Sequence, residues 1–127
     1  MINSKLLRLS QPDKMNSQDL QRLNPKEKEE AYELAYTFYS LGEYIKASWL
    51  FINLTISDPL IDRFWRGLAS CKQLLKEYRT AIEVWKAVCK LQPKDPSSYF
   101  HMAECYISVE NKKEALIYIK DEKGNFE

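Results

Sequence analysis

One spacing recurs along this chain of 127 residues and limits the folds that it can adopt. The tripeptides Gly42-Glu43-Tyr44 and Lys76-Glu77-Tyr78 lie 34 residues apart. The same interval separates Ala47 from Ala81, Ala81 from Ala115, and Pro59 from Pro93. A fixed period of this length indicates a helix-pair unit that repeats the same packing against its neighbour. The sequence therefore predicts a stacked all-α structure that serves for binding.

The residues inside each period resemble those of the tetratricopeptide repeat (TPR), a helix-turn-helix unit. Three repeats are predicted, over residues 28–61, 62–95 and 96–127, of which the third is incomplete. The second repeat matches the TPR pattern at Trp65, Leu68, Ala69, Tyr78, Ala81, Trp85, Val88 and Pro93. The resemblance implies an all-α TPR solenoid of about six helices over residues 25–127. Residues 1–24 are predicted to form a short N-terminal helical arm and are a candidate dimerisation segment.

Each predicted repeat carries two small residues at equivalent positions. They are Ala35 and Ala47, Ala69 and Ala81, and Ala103 and Ala115. Small side chains let the two helices of a repeat approach closely, while larger side chains fill the space between repeats. We expect all of these alanines to be buried.

Capping signals predict where helices begin. Asn24-Pro25-Lys26-Glu27 combines a capping residue, a proline at the first helical position and a glutamate three residues after the cap. Asp58-Pro59 and Asp95-Pro96 show an aspartate followed by a proline, which is also typical of a helix start. These signals predict helix starts near residues 25, 59 and 96.

The turns within the repeats differ in one residue. Gly42 suits the left-handed backbone conformation that commonly ends a helix. Lys76 and Glu110 occupy the equivalent positions of the other two repeats. Because these residues have a side chain that disfavours that conformation, we expect the two turns to be looser.

Charge and hydrophobicity exclude several classes of partner. Lysine and arginine together number 19 and aspartate and glutamate number 18, so the formal net charge is +1. Balanced charge gives no electrostatic case for nucleic acid or an anionic membrane. No apolar run approaches the length of a membrane span, and Lys5 and Arg8 interrupt the apolar residues near the N-terminus. We expect no nucleic-acid binding, no stable membrane association and a cytoplasmic location.

Few residues suggest catalysis. Cys71, Cys89 and Cys105 fall inside predicted helices without CxxC spacing, which favours reduced thiols over disulfides or a metal site. His101 lies one turn before Cys105, and such a pair could form a thiolate–imidazole couple. However, nothing marks an oxyanion hole, and three glycines provide no phosphate-binding loop. We predict no catalytic residue, no cofactor and no metal.

A stripe of tyrosines on the first helix of the first repeat indicates a binding surface. Tyr32, Tyr36 and Tyr39 lie at positions i, i+4 and i+7, which share one helix face. Tyrosine combines a broad apolar contact with a polar tip, which suits peptide recognition. The alternative is that the stripe packs as ordinary core beneath the N-terminal segment.

Gly67 lies on the equivalent helix of the second repeat. Because it has no side chain, it could form either the floor of a pocket or a close helix–helix contact.

Three stretches resemble a more specific family. They are residues 32–47 (YELAYTFYSLGEYIKA), 62–73 (DRFWRGLASCKQ) and 100–105 (FHMAEC). These strings are more specific than the general TPR pattern. Over about residues 17–119 the chain is similar to the class II chaperones of bacterial type III secretion systems.

The resemblance implies a function. Such chaperones are small three-TPR proteins that keep translocator subunits soluble and secretion-competent in the bacterial cytoplasm. Their concave groove binds an extended translocator segment with a motif of the Pro-x-Leu-x-x-Pro type. The resemblance places this peptide-binding groove at Tyr32, Tyr36, Tyr39, Arg66, Ser70, Phe100, His101 and Glu104.

Two departures from the family leave questions open. The family continues with a closing helix, whereas here Glu122 and Glu127 stand at apolar or proline positions, which suggests either a shortened chain or a different cap. The N-terminal arm is also short. Its apolar residues either form an amphipathic helix that packs on a second subunit or are disordered, and they are Ile2, Leu6, Leu7 and Leu9. A homodimer is therefore a hypothesis.

Other TPR functions remain as alternatives. A chaperone of the secretion needle subunit would bind an amphipathic helix in place of an extended segment, and a general TPR adaptor would bind another peptide. A co-chaperone that clamps the C-terminal carboxylate of a heat-shock protein is disfavoured. That clamp needs lysine, asparagine and arginine, whereas the first repeat has Tyr32 and Tyr36 at those positions.

Overall fold

Five long helices follow a short one in an order that matches the predicted helix pairs. The computed structural model describes residues 3–20 and 22–109, and within these ranges it contains helices and no strand. The α-helices are α1 (Ser4–Leu9), α2 (Pro25–Ser40), α3 (Tyr44–Ser57), α4 (Asp62–Leu74), α5 (Tyr78–Leu91) and α6 (Pro96–Ser108), with short 3-10 helices at Pro12–Lys14 and Ser17–Leu20. Helices α2 and α3 form the first repeat, α4 and α5 the second, and α6 begins the third. The prediction of an all-α TPR solenoid is confirmed.

Local capping explains two of the helix starts. The Asn24 side chain accepts a hydrogen bond from the Glu27 N–H at 2.8 Å, and the Glu27 side chain accepts one from the Asn24 N–H at 3.1 Å. At α6 the Asp95 carboxylate accepts from the Ser97 N–H at 3.0 Å. Both caps satisfy N–H groups that have no partner inside the helix. The predicted starts near residues 25 and 96 are therefore confirmed.

The start predicted at Asp58-Pro59 is wrong. Asp58 ends α3, where its N–H donates to Leu54 O at 2.9 Å, and α4 begins only at Asp62. The chain uses residues 59–61 to reverse direction between the two helices. Trp65 Nε1 donates to Pro59 O at 2.8 Å and holds this turn against α4. The proline therefore belongs to the turn between repeats.

The turns inside the first two repeats have the same geometry. Gly42 has a φ of 79° and Lys76 a φ of 64°, both left-handed. In each turn a backbone hydrogen bond closes the helix end, from Glu43 N to Phe38 O at 2.8 Å and from Glu77 N to Lys72 O at 2.9 Å. The expected loosening at Lys76 is therefore wrong, because packing of α4 on α5 imposes the same turn on a less suited residue. Glu110 lies outside the described residues.

Close helix contacts build the core. Each helix from α2 to α5 packs on the next along the chain. The predicted alanines are at most 1% exposed at Ala35, Ala47, Ala69, Ala81 and Ala103, while Ala115 lies outside the described residues. Gly67 allows a close approach of α4 to α3, since a Cβ added there would lie 2.2 Å from the Phe51 ring. Gly67 is therefore a helix–helix contact, and the Phe51 ring fills the space above it.

The N-terminal arm packs on the first repeat of its own chain. Leu6 and Leu9 of α1 are buried, and α1 contacts α2 and α3. The first repeat of the same chain buries these two leucines, which does not fit the alternative of a disordered arm, and a role of the arm in dimerisation stays a prediction. Leu7 is 39% exposed, and Ile2 lies outside the described residues.

Two ion pairs hold the arm. Arg8 donates to both carboxylate oxygens of Asp19 at 2.8 and 2.9 Å. This bidentate contact, together with a hydrogen bond from the Asn16 N–H at 3.1 Å, lowers the pKa of Asp19 to about 2. Lys5 pairs with Glu27 at 3.1 Å and links α1 to the start of α2. The arm is thus an ordered cap on the first repeat.

Candidate peptide-binding groove

The first helix of each repeat contributes to one surface, which we call the A-helix groove (α2, α4 and α6). Along α2 the tyrosine stripe forms a continuous series of edge-to-face contacts. The ring centroids lie 4.9 Å apart for Tyr32 and Tyr36, and 5.8 Å apart for Tyr36 and Tyr39. Tyr36 also meets the buried Phe51 ring at 5.3 Å. The stripe is therefore anchored by the same aromatic ring that Gly67 accommodates.

The stripe is not fully buried core. Tyr36 is 37% exposed, and Tyr32 and Tyr39 are partly buried. Burial raises the pKa of Tyr36 and of Tyr39 above their ordinary values, and the hydrogen bond with Tyr32 adds to the effect at Tyr36. Both hydroxyl groups therefore stay neutral at physiological pH. The stripe offers apolar ring faces with polar tips.

Residues of α4 close one end of the stripe. The Tyr32 ring lies 5.7 Å from the Phe64 ring, and the Arg63 guanidinium lies 5.1 Å from the Tyr32 centroid and 5.3 Å from that of Phe64. This places a cation over two aromatic faces. We call the group Tyr32, Tyr36, Phe51 and Phe64 the aromatic end of the groove.

The other end of the groove is a pocket between all three helices. It has a volume of about 180 Å³, and we call it the polar pocket, lined by Tyr39, Ser70, Gln73, Leu74, His101 and Glu104. The structure thus brings together four of the predicted site residues there. Gln73 and Leu74 were not among those residues, although their spacing of three and four residues after Ser70 places them on its helix face.

Hydrogen bonds and stacking order the floor of the polar pocket. His101 Nδ1 lies 2.8 Å from Glu104 Oε1, and because a carboxylate only accepts, the ring carries a proton on Nδ1. Gln73 donates to Glu104 Oε1 at 3.4 Å and accepts from Trp85 Nε1 at 3.1 Å. The His101 ring stacks on Trp85 with centroids 4.6 Å apart. Side chains of α4, α5 and α6 therefore form one polar cluster. The sequence pattern predicted only a packing role between repeats for Trp85.

The remaining predicted residues lie beside the pocket. Arg66 donates to Asp62 at 2.9 Å, to Ser97 at 3.1 Å and also to Asp95. Its guanidinium joins α4 to the start of α6 and is not part of the pocket lining. Phe100 is 45% exposed, and its ring meets that of His101 at 5.9 Å.

The contacts of Cys105 and His101 bear on the thiolate–imidazole couple that their spacing suggested. Burial raises the pKa of Cys105 to about 12, so its thiol is not ionised near neutral pH. His101 pairs with Glu104, and the thiolate–imidazole couple weighed from the sequence therefore does not form. Within residues 3–20 and 22–109, no three His, Cys, Asp or Glu side chains come together as a metal site. None of the described helices combines the length and apolarity that a bilayer span requires.

Comparisons with known proteins agree with this architecture. A family model described as "Anaphase-promoting complex, cyclosome, subunit 3" matches residues 54–122, and one described as "Tetratricopeptide repeat" matches residues 29–54. Low calcium response locus protein H of Yersinia pestis is 34% identical over 79 residues, which are 62% of this chain and 47% of that relative. The chain therefore spans about half the length of the curated relatives it matches.

Solved structures of two chaperones have a fold similar to that of this chain. The crystal structure of the Yersinia enterocolitica type III secretion chaperone SycD with a peptide of the translocator YopD has a TM-score of 0.74 and 29% identity, covering 83% of this chain and 82% of SycD. The structure of PcrH with the chaperone binding region of PopD has a TM-score of 0.78 and covers 84% and 80% of the two chains, and its 24% identity shows the fold alone. The chain belongs to the tetratricopeptide-repeat family that the two family models describe, and its fold and sequence are similar to those of the type III secretion chaperone SycD.

Proposed function

We propose that this chain is a type III secretion chaperone that binds translocator proteins through the A-helix groove. The tyrosine stripe carries the proposal, because its rings are held in place by Phe51 while Tyr36 stays open to a ligand. A membrane-inserting client exposes apolar segments that aggregate unless another surface covers them. The chaperone keeps its client soluble and secretion-competent in the bacterial cytoplasm.

The proposed ligand is an extended client segment with a motif of the Pro-x-Leu-x-x-Pro type. Proline and leucine side chains fit aromatic faces that bury apolar area with little loss of side-chain entropy. SycD has been crystallised with a YopD peptide and PcrH with segments of PopD and PopB, which supports a peptide ligand for the same fold here. The groove residues are those assigned by family resemblance, with Arg66 positioning α4 against α6.

No step of this function requires catalysis. The client is held by contacts that form and break without covalent chemistry, and the polar cluster at His101 orders side chains without activating a nucleophile. Release then follows from competition for the client at the export apparatus. We therefore propose a chaperone without enzymatic activity.

Leu6 and Leu9 are buried within the chain, so self-association would use another part of the surface. The outer face of α3 exposes Ile45, Trp49 and Ile56, spaced four and seven residues apart on one side of the helix. One SycD structure describes an alternative dimer of that protein. We propose that any homodimer of this chain forms through the outer face of α3, which light scattering of the Trp49→Glu variant would test by a fall in mass.

Calorimetric titration with synthetic peptides tests the proposed function. One peptide carries the Pro-x-Leu-x-x-Pro motif, a second carries aspartate at the proline and leucine positions, and a third is an amphipathic helical peptide of the kind a needle subunit presents. We expect binding of the first peptide alone. Binding of the third peptide in preference to the first would transfer the assignment to a needle-subunit chaperone, and failure of the first to bind would overturn the proposal.

A further inference from the structure

The polar pocket differs in chemistry from the apolar surface that a proline-leucine motif requires. We propose that it is a subsite for a lysine or arginine side chain of the bound segment, with the Glu104 carboxylate as its charge partner. The inference rests on the proposed function, because the segment must lie in the A-helix groove to reach the pocket. It adds a charge preference to a motif otherwise defined by apolar residues.

The charge on Glu104 is available to a ligand. Its side chain is 44% exposed, and its partners His101 and Gln73 both contact Oε1. In the part of the chain that the structure describes, no lysine or arginine pairs with this carboxylate. The Nδ1–H of His101 donates to Oε1 alone and orients the carboxylate. The pocket therefore carries one negative charge whose geometry is already set.

The walls of the pocket suit a long basic side chain. Tyr39 supplies an aromatic face, and Leu74, which is 46% exposed, supplies an aliphatic one. Lysine and arginine bury their methylene stems on apolar surface while the charged group reaches a polar partner. Ser70 adds a hydroxyl that can accept a hydrogen bond from the charged group. A shorter or acidic side chain would lose either the wall contacts or the charge partner.

The rest of the groove restricts where the basic residue can lie. Arg66 is held by Asp62 and Asp95, so it does not offset the charge of Glu104. Arg63 lies at the aromatic end and would repel a basic side chain there. Arg63 and Gln73 are separated by about 15 Å along α4. An extended peptide covers this distance in about five residues, so the preference should be confined to a narrow register.

A lysine scan tests the subsite. Short peptides that carry the Pro-x-Leu-x-x-Pro motif, with alanine elsewhere, receive one lysine at each position in turn, and their affinities are measured by fluorescence anisotropy. We expect one register to bind about fivefold more tightly than the all-alanine peptide at low ionic strength, with the gain lost in high salt. Glutamate at that register should weaken binding.

Two variants separate the subsite from general electrostatics. Glu104→Gln keeps an oxygen that accepts from His101 but removes the charge. It should bring the ratio of the lysine-peptide affinity to the all-alanine-peptide affinity down to about one, whatever its effect on the all-alanine peptide. Glu83→Gln removes an exposed carboxylate on α5, outside the pocket, and should leave the preference unchanged. Circular dichroism checks that both variants keep their helices.

The outcomes distinguish this inference from the proposed function. If wild-type protein binds the all-alanine motif peptide but no lysine register improves affinity, the basic subsite is overturned and the chaperone groove stands. The same holds if Glu104→Gln retains the full preference. If no motif peptide binds, the proposed function fails and the subsite fails with it.

Discussion

The two ends of the A-helix groove are built in different ways. At the aromatic end, Tyr36 rests on Phe51, and Phe51 fills the space that Gly67 leaves open. At the polar pocket, His101, Glu104 and Gln73 are joined by hydrogen bonds. The first end depends on close packing and the second on directional bonds. We infer that the aromatic end provides most of the affinity and the polar pocket provides selectivity.

The largest expected effect comes from placing charge on the aromatic end. Tyr36→Glu introduces a carboxylate where we propose that apolar client side chains dock, and we expect binding of the motif peptide to weaken by at least about 30-fold, or about 2 kcal/mol. Calorimetric titration measures the loss. Tyr36→Phe keeps the ring and serves as the control, with affinity within a few-fold of wild type. Unaltered binding by a folded Tyr36→Glu protein would place the client elsewhere.

The packing beneath the stripe provides the second test. Gly67→Ala brings a methyl group into the Phe51 ring, so α3 and α4 must separate or the ring must move. Although alanine favours a helix by about 1 kcal/mol, we expect a net loss of about 2 kcal/mol in unfolding free energy. Urea denaturation measures it. Combining the change with Phe51→Leu should recover part of the loss, and strictly additive effects would mean that the two residues do not meet.

A smaller effect is expected when the polar cluster is broken. Gln73→Leu removes the acceptor of Trp85 Nε1 and the donor to Glu104, and we expect a loss of about 1–2 kcal/mol in unfolding free energy. The emission of Trp85 should change as well, because its indole then lacks that hydrogen bond. Gln73→Glu keeps an acceptor for Trp85 and is the matched variant. Equal stability of Gln73→Leu and wild type would show that the cluster does not stabilise the fold.

The smallest effect concerns the turn that follows α4, next to the polar pocket. Lys76→Gly relieves a side chain at a φ of 64°, and we expect a gain of about 1 kcal/mol in stability. Gly42→Ala at the equivalent turn after α2 should lose a similar amount, because φ there is 79°. Thermal unfolding of the two variants compares the turns. A melting temperature that falls for Lys76→Gly would contradict the strain at this position.

Sequence reasoning placed the tyrosines on one helix face but did not predict that the A-helix groove has two different ends. The spacing of Tyr32, Tyr36 and Tyr39 predicted a shared helix face, and the structure places these rings in contact with one another. The same reasoning gave Trp85 a packing role only, whereas its ring also supports His101. Helical spacing reports neighbours within one helix, and it carries no information on contacts between α5 and α6. Asp95 was missed as a charge partner of Arg66 for the same reason, whereas Asp62 lies four residues before Arg66 on α4 and could have been found from its spacing.

The sequence by itself determined the repeat, because a 34-residue period of small and large residues permits one way of stacking helix pairs. It also determined the helix starts at Pro25 and Pro96, where capping is local. Only the tertiary structure decided that Pro59 lies in a turn, that Lys76 adopts a left-handed conformation, and that Leu6 and Leu9 pack inward. Each of these depends on contacts between residues distant in sequence, whose combined packing energy outweighs a local preference of about 1 kcal/mol.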